Sequence, residues 1–113
     1  MASSYQSRLR NCRISARKAR LVVDLVRGRA VQEALDILHL TNKKAAPILH
    51  KMIRAAIASA VAKETVDVDR LIVAEAFVDE GPTMKRFLPR AQGRATPLKK
   101  RTAHITVKLQ EWL

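Results

Sequence analysis

The spacing of apolar residues changes once along this chain, and that change limits the folds open to it. Up to about residue 63 they recur every three or four positions, the repeat of one helix face. From residue 71 onward they recur at every second position, the repeat of a half-buried strand. An α+β order follows, with helices first and the main strands after them.

In "ARKARLVVDLV", Ala19, Val22, Val23 and Val26 share one face. Ser15 is suited to accept a bond from a free N–H of the first turn, and Gly28 to turn the chain out of the helix. The first helix is expected over about 16–27. A second follows in "VQEALDILHL", with Val31, Ala34, Leu35 and Leu38 inward. A third, over about 44–63 and capped by Thr41 or Asn42, carries Pro47 in its first turn, where a missing N–H does little harm. Its buried stripe is Leu49, Met52, Ile53, Ala56 and Ala60.

In "RLIVAEAFVD" the even positions Ile72, Ala74, Ala76 and Val78 predict the inner face of a strand. In "TAHITVKLQEWL" Ala103, Ile105, Val107 and Leu109 do the same for its partner, with Thr102, His104, Thr106 and Lys108 opposite. His104 is therefore expected on the outer face, as an RNA or hydrogen-bond contact. A third strand is expected in "SYQSRLRN", where Tyr5, Ser7 and Leu9 alternate with polar or basic residues. At 113 residues, all of this belongs to one domain, 1–113.

Between the two paired strands lies "MKRFLPRAQGRATPLKKR", seven cations and no acid in eighteen positions. With Gly81, Pro82, Pro89, Gly93 and Pro97 as punctuation, residues 80–102 are expected to form a long protruding loop or hairpin. Each arm of about ten residues reaches roughly 30 Å when extended. Adjacent cations about 7 Å apart repel by roughly 0.6 kcal/mol in water, so such a finger calls for a counter-charge from outside. Pro97 cannot donate to a ladder, so pairing beside it should be interrupted or should face solvent.

The charge distribution points the same way. The chain carries a formal +12 with a pI near 10.9. Residues 1–29 hold eight cations and one acid, residues 81–113 hold the same, and residues 30–80 hold six cations and eight acids. Two cationic ends flanking a near-neutral middle are what a folded core with polyanion-binding ends requires. Arg8, Arg10 and Arg13, continuing into Arg17, Lys18 and Arg20, predict one phosphate-binding strip.

Other classes fit poorly. The acids are scattered in the manner of surface charges, no Gly-rich phosphate loop is present, and Cys12 with His104 is a weak basis for thiol chemistry. No enzyme, cofactor or metal site is expected. Cys12 is the single cysteine, which suits a reducing cytoplasm, and neither a signal peptide nor a membrane span is expected. The rival binding reading is a helix-turn-helix in which Lys43, Lys44, Lys51 and Arg54 read DNA, but it places the reading surface in the least cationic third of the chain.

"ISARKARLVVDLVRG", "VDEGPTMKRFLPRAQGRA" and "KKRTAHITV" together resemble the family of bacterial large-ribosomal-subunit protein twenty-two, over essentially the whole chain. The resemblance implies three helices packed on a small three-stranded antiparallel sheet, with one long protruding β-hairpin. It implies a structural constituent that binds 23S rRNA, supports subunit assembly beside neighbouring large-subunit proteins, and lines the nascent-peptide exit tunnel with the hairpin tip. Met84, Lys85, Arg86 and Arg90 match the tunnel-lining tip. Arg8, Arg10, Arg13, Arg17, Lys18 and Arg20 match basic positions of the globular part, and Arg94, Lys99, Lys100 and Arg101 those of the return arm.

Overall fold

Strand β5 (Ala103–Glu111) is the centre of the molecule. It pairs antiparallel with β1 (Ser4–Cys12) on one side and β2 (Leu71–Glu80) on the other, giving the order β1-β5-β2. The computed structural model describes residues 4–63, 67–89 and 95–111, with 84–89 and 95–100 described by backbone alone. Ala103, Ile105, Val107 and Leu109 of β5 are fully buried under a layer of three helices, α1 (Ala16–Val26), α2 (Val31–Leu40) and α3 (Ala45–Val61). α1 packs along β2, α3 crosses β1 and β5, and α2 packs on α3.

The helices form where their apolar spacing demands. Ala19, Val22, Val23 and Val26 of α1, and Leu49, Met52, Ile53, Ala56 and Ala60 of α3, are all buried. Ser15 Oγ accepts from Lys18 N at 3.4 Å to cap α1, and Gly28 leaves the helix at φ +81°, a left-handed conformation that glycine adopts without strain. The third helix starts differently from the expectation. Neither Thr41 nor Asn42 caps it: Thr41 Oγ1 donates back to Ile37 O at 2.7 Å and so closes α2, while α3 begins after Lys44 without a side-chain cap.

β2 also departs from the expected alternation. Leu71 and Val73 are buried on odd positions, then Ala76 and Val78 on even ones. A register shift between Val73 and Glu75 accounts for this, because one extra residue, Ala74, moves every later side chain to the other face. Ile72 and Ala74 are consequently only half-buried.

The outer edge of β2 has no named strand beside it among the described residues, yet several of its polar groups find partners. Gly28 N donates to Val73 O at 2.8 Å and Val73 N to Arg29 O at 2.9 Å. Arg27 then grips Ala76 O through Nε at 3.0 Å and Nη2 at 2.7 Å. Arg20, two turns earlier on α1, grips Val78 O in the same way at 3.3 and 2.9 Å. Two guanidinium forks thus occupy an edge that would otherwise template further pairing.

The two arms of the basic stretch do pair with each other. β3 (Met84–Pro89) and β4 (Ala95–Lys100) pair as a separate two-stranded ribbon, in register from Met84↔Lys100 to Pro89↔Ala95. Pairing is not interrupted at Pro97, which is registered opposite Phe87 without a shift. A two-stranded ribbon tolerates this where the proline nitrogen faces outward. The radius of gyration is 17.4 Å and the longest extent 65 Å against 26 and 18 Å across. A compact chain of this length has a radius of about 13 Å, so the ribbon projects.

Candidate nucleic-acid interface

The root of the hairpin is held tightly. Gly81 N donates to Thr102 O at 3.0 Å, and Thr102 Oγ1 donates to Pro82 O at 2.6 Å. A Cβ on Gly81 would stand 2.5 Å from Thr102 Oγ1 and 3.2 Å from His104 Cε1, so only glycine lets the two arms approach this closely. His104 Nδ1 accepts from Asn11 N at 3.1 Å, and Asn11 has a left-handed φ of 56°. His104 is thus a hydrogen-bond contact that fixes the end of β1 where the chain turns toward α1.

Around this root the fold gathers cations from segments far apart in sequence. The bend after β1 presents Arg13, while its neighbour Ile14 is buried as an anchor. Because Ala16 and Ala19 face the core, Arg17, Lys18, Arg20 and Leu21 must face out. Lys43 and Lys44 arrive from the α2–α3 turn, with Lys44 Nζ donating to Arg13 O at 3.3 Å. Arg101 closes the group from the return arm of the hairpin.

Two open grooves result, sharing Arg101 as a wall. The larger, about 810 Å³, runs among Arg13, Lys18, Leu21, Lys43, Lys44 and Arg101. The smaller, about 370 Å³, lies against Arg17, Arg20, Gly81, Thr83 and Thr102, with Glu80 at its side. The larger has five cations and no acid among the described residues that line it. Burial pushes the Cys12 thiol above its ordinary pKa, and the ammonium of Lys44 partly offsets this.

The expected strip is therefore rearranged. Arg13, Arg17, Lys18, Arg20 and Arg101 do converge. Arg8 does not join them: it is registered opposite Thr106, which is registered opposite Phe77, on the sheet face turned away from the helices. Arg10 is exposed near the β1 irregularity. Lys43 and Lys44, which the sequence offers only as part of the rival DNA-reading surface, join this group as well. Met84, Lys85, Arg86, Lys99 and Lys100 lie on the ribbon strands, with Lys85 registered opposite Lys99. Arg90 and Arg94 lie outside the described residues.

The helix-turn-helix reading loses its geometry here. α3 buries its stripe from Leu49 to Ala60, and the cations that converge do so at the hairpin root, from Arg13, Lys18, Lys43, Lys44 and Arg101, while the exposed face of α3 carries only Lys51 and Arg54.

Comparison with known proteins agrees with this architecture. The family model described as Ribosomal protein L22p/L17e matches residues 7–110. The Large ribosomal subunit protein uL22 of Syntrophotalea carbinolica is 54% identical over 106 residues, which cover 94% of this chain and 96% of that protein. A match across nearly the whole length, on a fold whose cations surround the root of a projecting ribbon, establishes that this chain belongs to the Ribosomal protein L22p/L17e family.

Proposed function

We propose that this protein is a structural constituent of the large ribosomal subunit in the cytoplasm, architectural rather than catalytic, and that it binds 23S rRNA through the cations at the hairpin root and along the ribbon. The observation that carries the reading is the convergence of Arg13, Lys18, Lys43, Lys44 and Arg101 from three distant segments onto one groove beside the ribbon. Like charges brought together by folding raise the energy of the free protein, and a polyphosphate reverses the sign of that term. Folded RNA is recognised mainly through its phosphates and shape, which suits a surface with many cations.

In this reading the globular part sits on the subunit beside other large-subunit proteins and supports assembly. The ribbon threads between RNA segments, and its outgoing arm, with Met84, Lys85 and Arg86 on β3 and Arg90 following in sequence, lines the path of the nascent peptide. Photo-crosslinking from residue 86 in translating ribosomes tests this directly. Recovery of both 23S rRNA and nascent peptide is expected; recovery of neither would remove the tunnel role.

A further inference from the structure

We infer that the larger groove at the hairpin root holds one extruded nucleotide of the bound RNA, with its phosphate on Lys43 and Lys44 and its base against Leu21. This rests on the RNA-binding reading above and goes further, because phosphate contact alone does not explain the groove. A surface that tracks a duplex backbone needs only exposed cations. Here there is a recess of about 810 Å³, within the roughly 300–1,000 Å³ range of sites that enclose small molecules.

Its lining is amphipathic in the way a nucleotide is. Five cations ring the recess. Ile14 and Ala45, both buried, form an apolar floor, and Leu21 stands 59% exposed on the wall. A large aliphatic side chain left in water amid Arg13, Lys18 and Arg101 gains nothing from a phosphate, but it offers area to the face of a base. The guanidinium planes of Arg13 and Arg101 add stacking surface of the kind arginine supplies to unpaired bases.

The grip on the phosphate is built rather than incidental. Lys44 is oriented by its bond to Arg13 O at 3.3 Å, and Lys43 O accepts from Ala46 N at 3.2 Å, which fixes the turn that carries both lysines. Ser15, the one neutral polar side chain among the described residues on the wall, already accepts from Lys18 N. The groove therefore recognises the π-face of a base more than its edge, and the nucleotide it takes is sequence-tolerant, drawn from a bulge or loop in which a base is free to leave the stack.

The test compares full-length protein variants for binding to a 23S rRNA transcript over a salt series. Leu21→Ser should weaken binding about 5-fold or more with an unchanged salt slope, as expected when an apolar contact with a base is lost and no charge is changed. The double change Lys43→Ala with Lys44→Ala should shrink the slope by about 1.4 to 1.8, the equivalent of two phosphates. Leu21→Phe should bind at least as tightly as the parent, and Leu40→Ser, on the exposed end of α2, should change nothing. If Leu21→Ser binds like the parent while the lysine double variant weakens, the groove grips phosphate only; the extruded-nucleotide inference is then wrong and the RNA reading stands. If the parent protein itself fails to bind the transcript, both are wrong.

Discussion

The guanidinium of Arg20 holds the carbonyl oxygen of Val78 through Nε at 3.3 Å and Nη2 at 2.9 Å, 58 residues away in sequence. Taken as a sequence, Arg20 is one more cation in a run meant for phosphate; in the fold it also stitches α1 to the open edge of β2. Arg20→Ala should therefore destabilise the free protein by about 1–2 kcal/mol, since a part-buried carbonyl loses a charged donor. Arg20→Lys should recover less than half of that, because an ammonium cannot reproduce the fork. Urea unfolding without RNA measures both, and unchanged midpoints would return Arg20 to a purely RNA-facing role.

Gly81→Ala should cost about 1–3 kcal/mol by overpacking the hairpin root, because its new methyl would meet Thr102 Oγ1 at 2.5 Å. The cost should fall when Thr102→Ala is introduced first, since the clashing atom is then absent. Thermal unfolding of the two single variants and the double variant reads this coupling. Additive effects would mean that the root relaxes without loss.

Much of this architecture is legible in the residues, and the exceptions share a cause. Helix α1 is bounded by Ser15 and Gly28, whose local chemistry needs no tertiary partner. β5 alternates cleanly because it is central and its inner face is wholly buried. At its start β2 turns inward the face opposite to the one its alternation predicts, because in "LIVAEAFV" both parities offer apolar residues and the shift at Ala74 is set by pairing with β5. Lys43 and Lys44 lie in a segment that is net acidic in sequence, and only the packing of α2 on α3 brings them to Arg13. Arg20 and Arg27 carry donors that suit carbonyls and phosphates alike, so their partners are decided by where α1 lies.

The Cys12 thiol should respond to pH in a defined direction. Burial raises its pKa on folding, so the folded state holds the proton more tightly than the unfolded chain. Its contribution to stability is then complete below the ordinary thiol pKa and is lost as pH rises through the folded value. Cys12→Ala should flatten the alkaline limb of the stability curve. Lys44→Ala should slow modification of the native thiol at pH 8, since the cation that favours thiolate is gone. Faster modification would contradict the assigned cause.

The ribbon should be the part of the protein most changed by RNA. Lys85 is registered opposite Lys99, and like charges directly across a ladder destabilise it. Amides of residues 84–89 and 95–100 should exchange hydrogen quickly in the free protein while those of α3 are protected, and RNA should slow the former. Lys85→Glu should invert the pattern, strengthening the free ribbon and weakening the complex. Equal protection of ribbon and α3 without RNA would show that the ribbon is self-sufficient.

The measurement closest to the central claim is the salt dependence of binding to a 23S rRNA transcript by the full-length protein. With about ten cations meeting phosphates at the hairpin root and along the ribbon, log affinity should fall against log salt with a slope of roughly −7 to −9. A slope near −2, the equivalent of two or three phosphates, would mean that the gathered cations serve something other than a folded RNA.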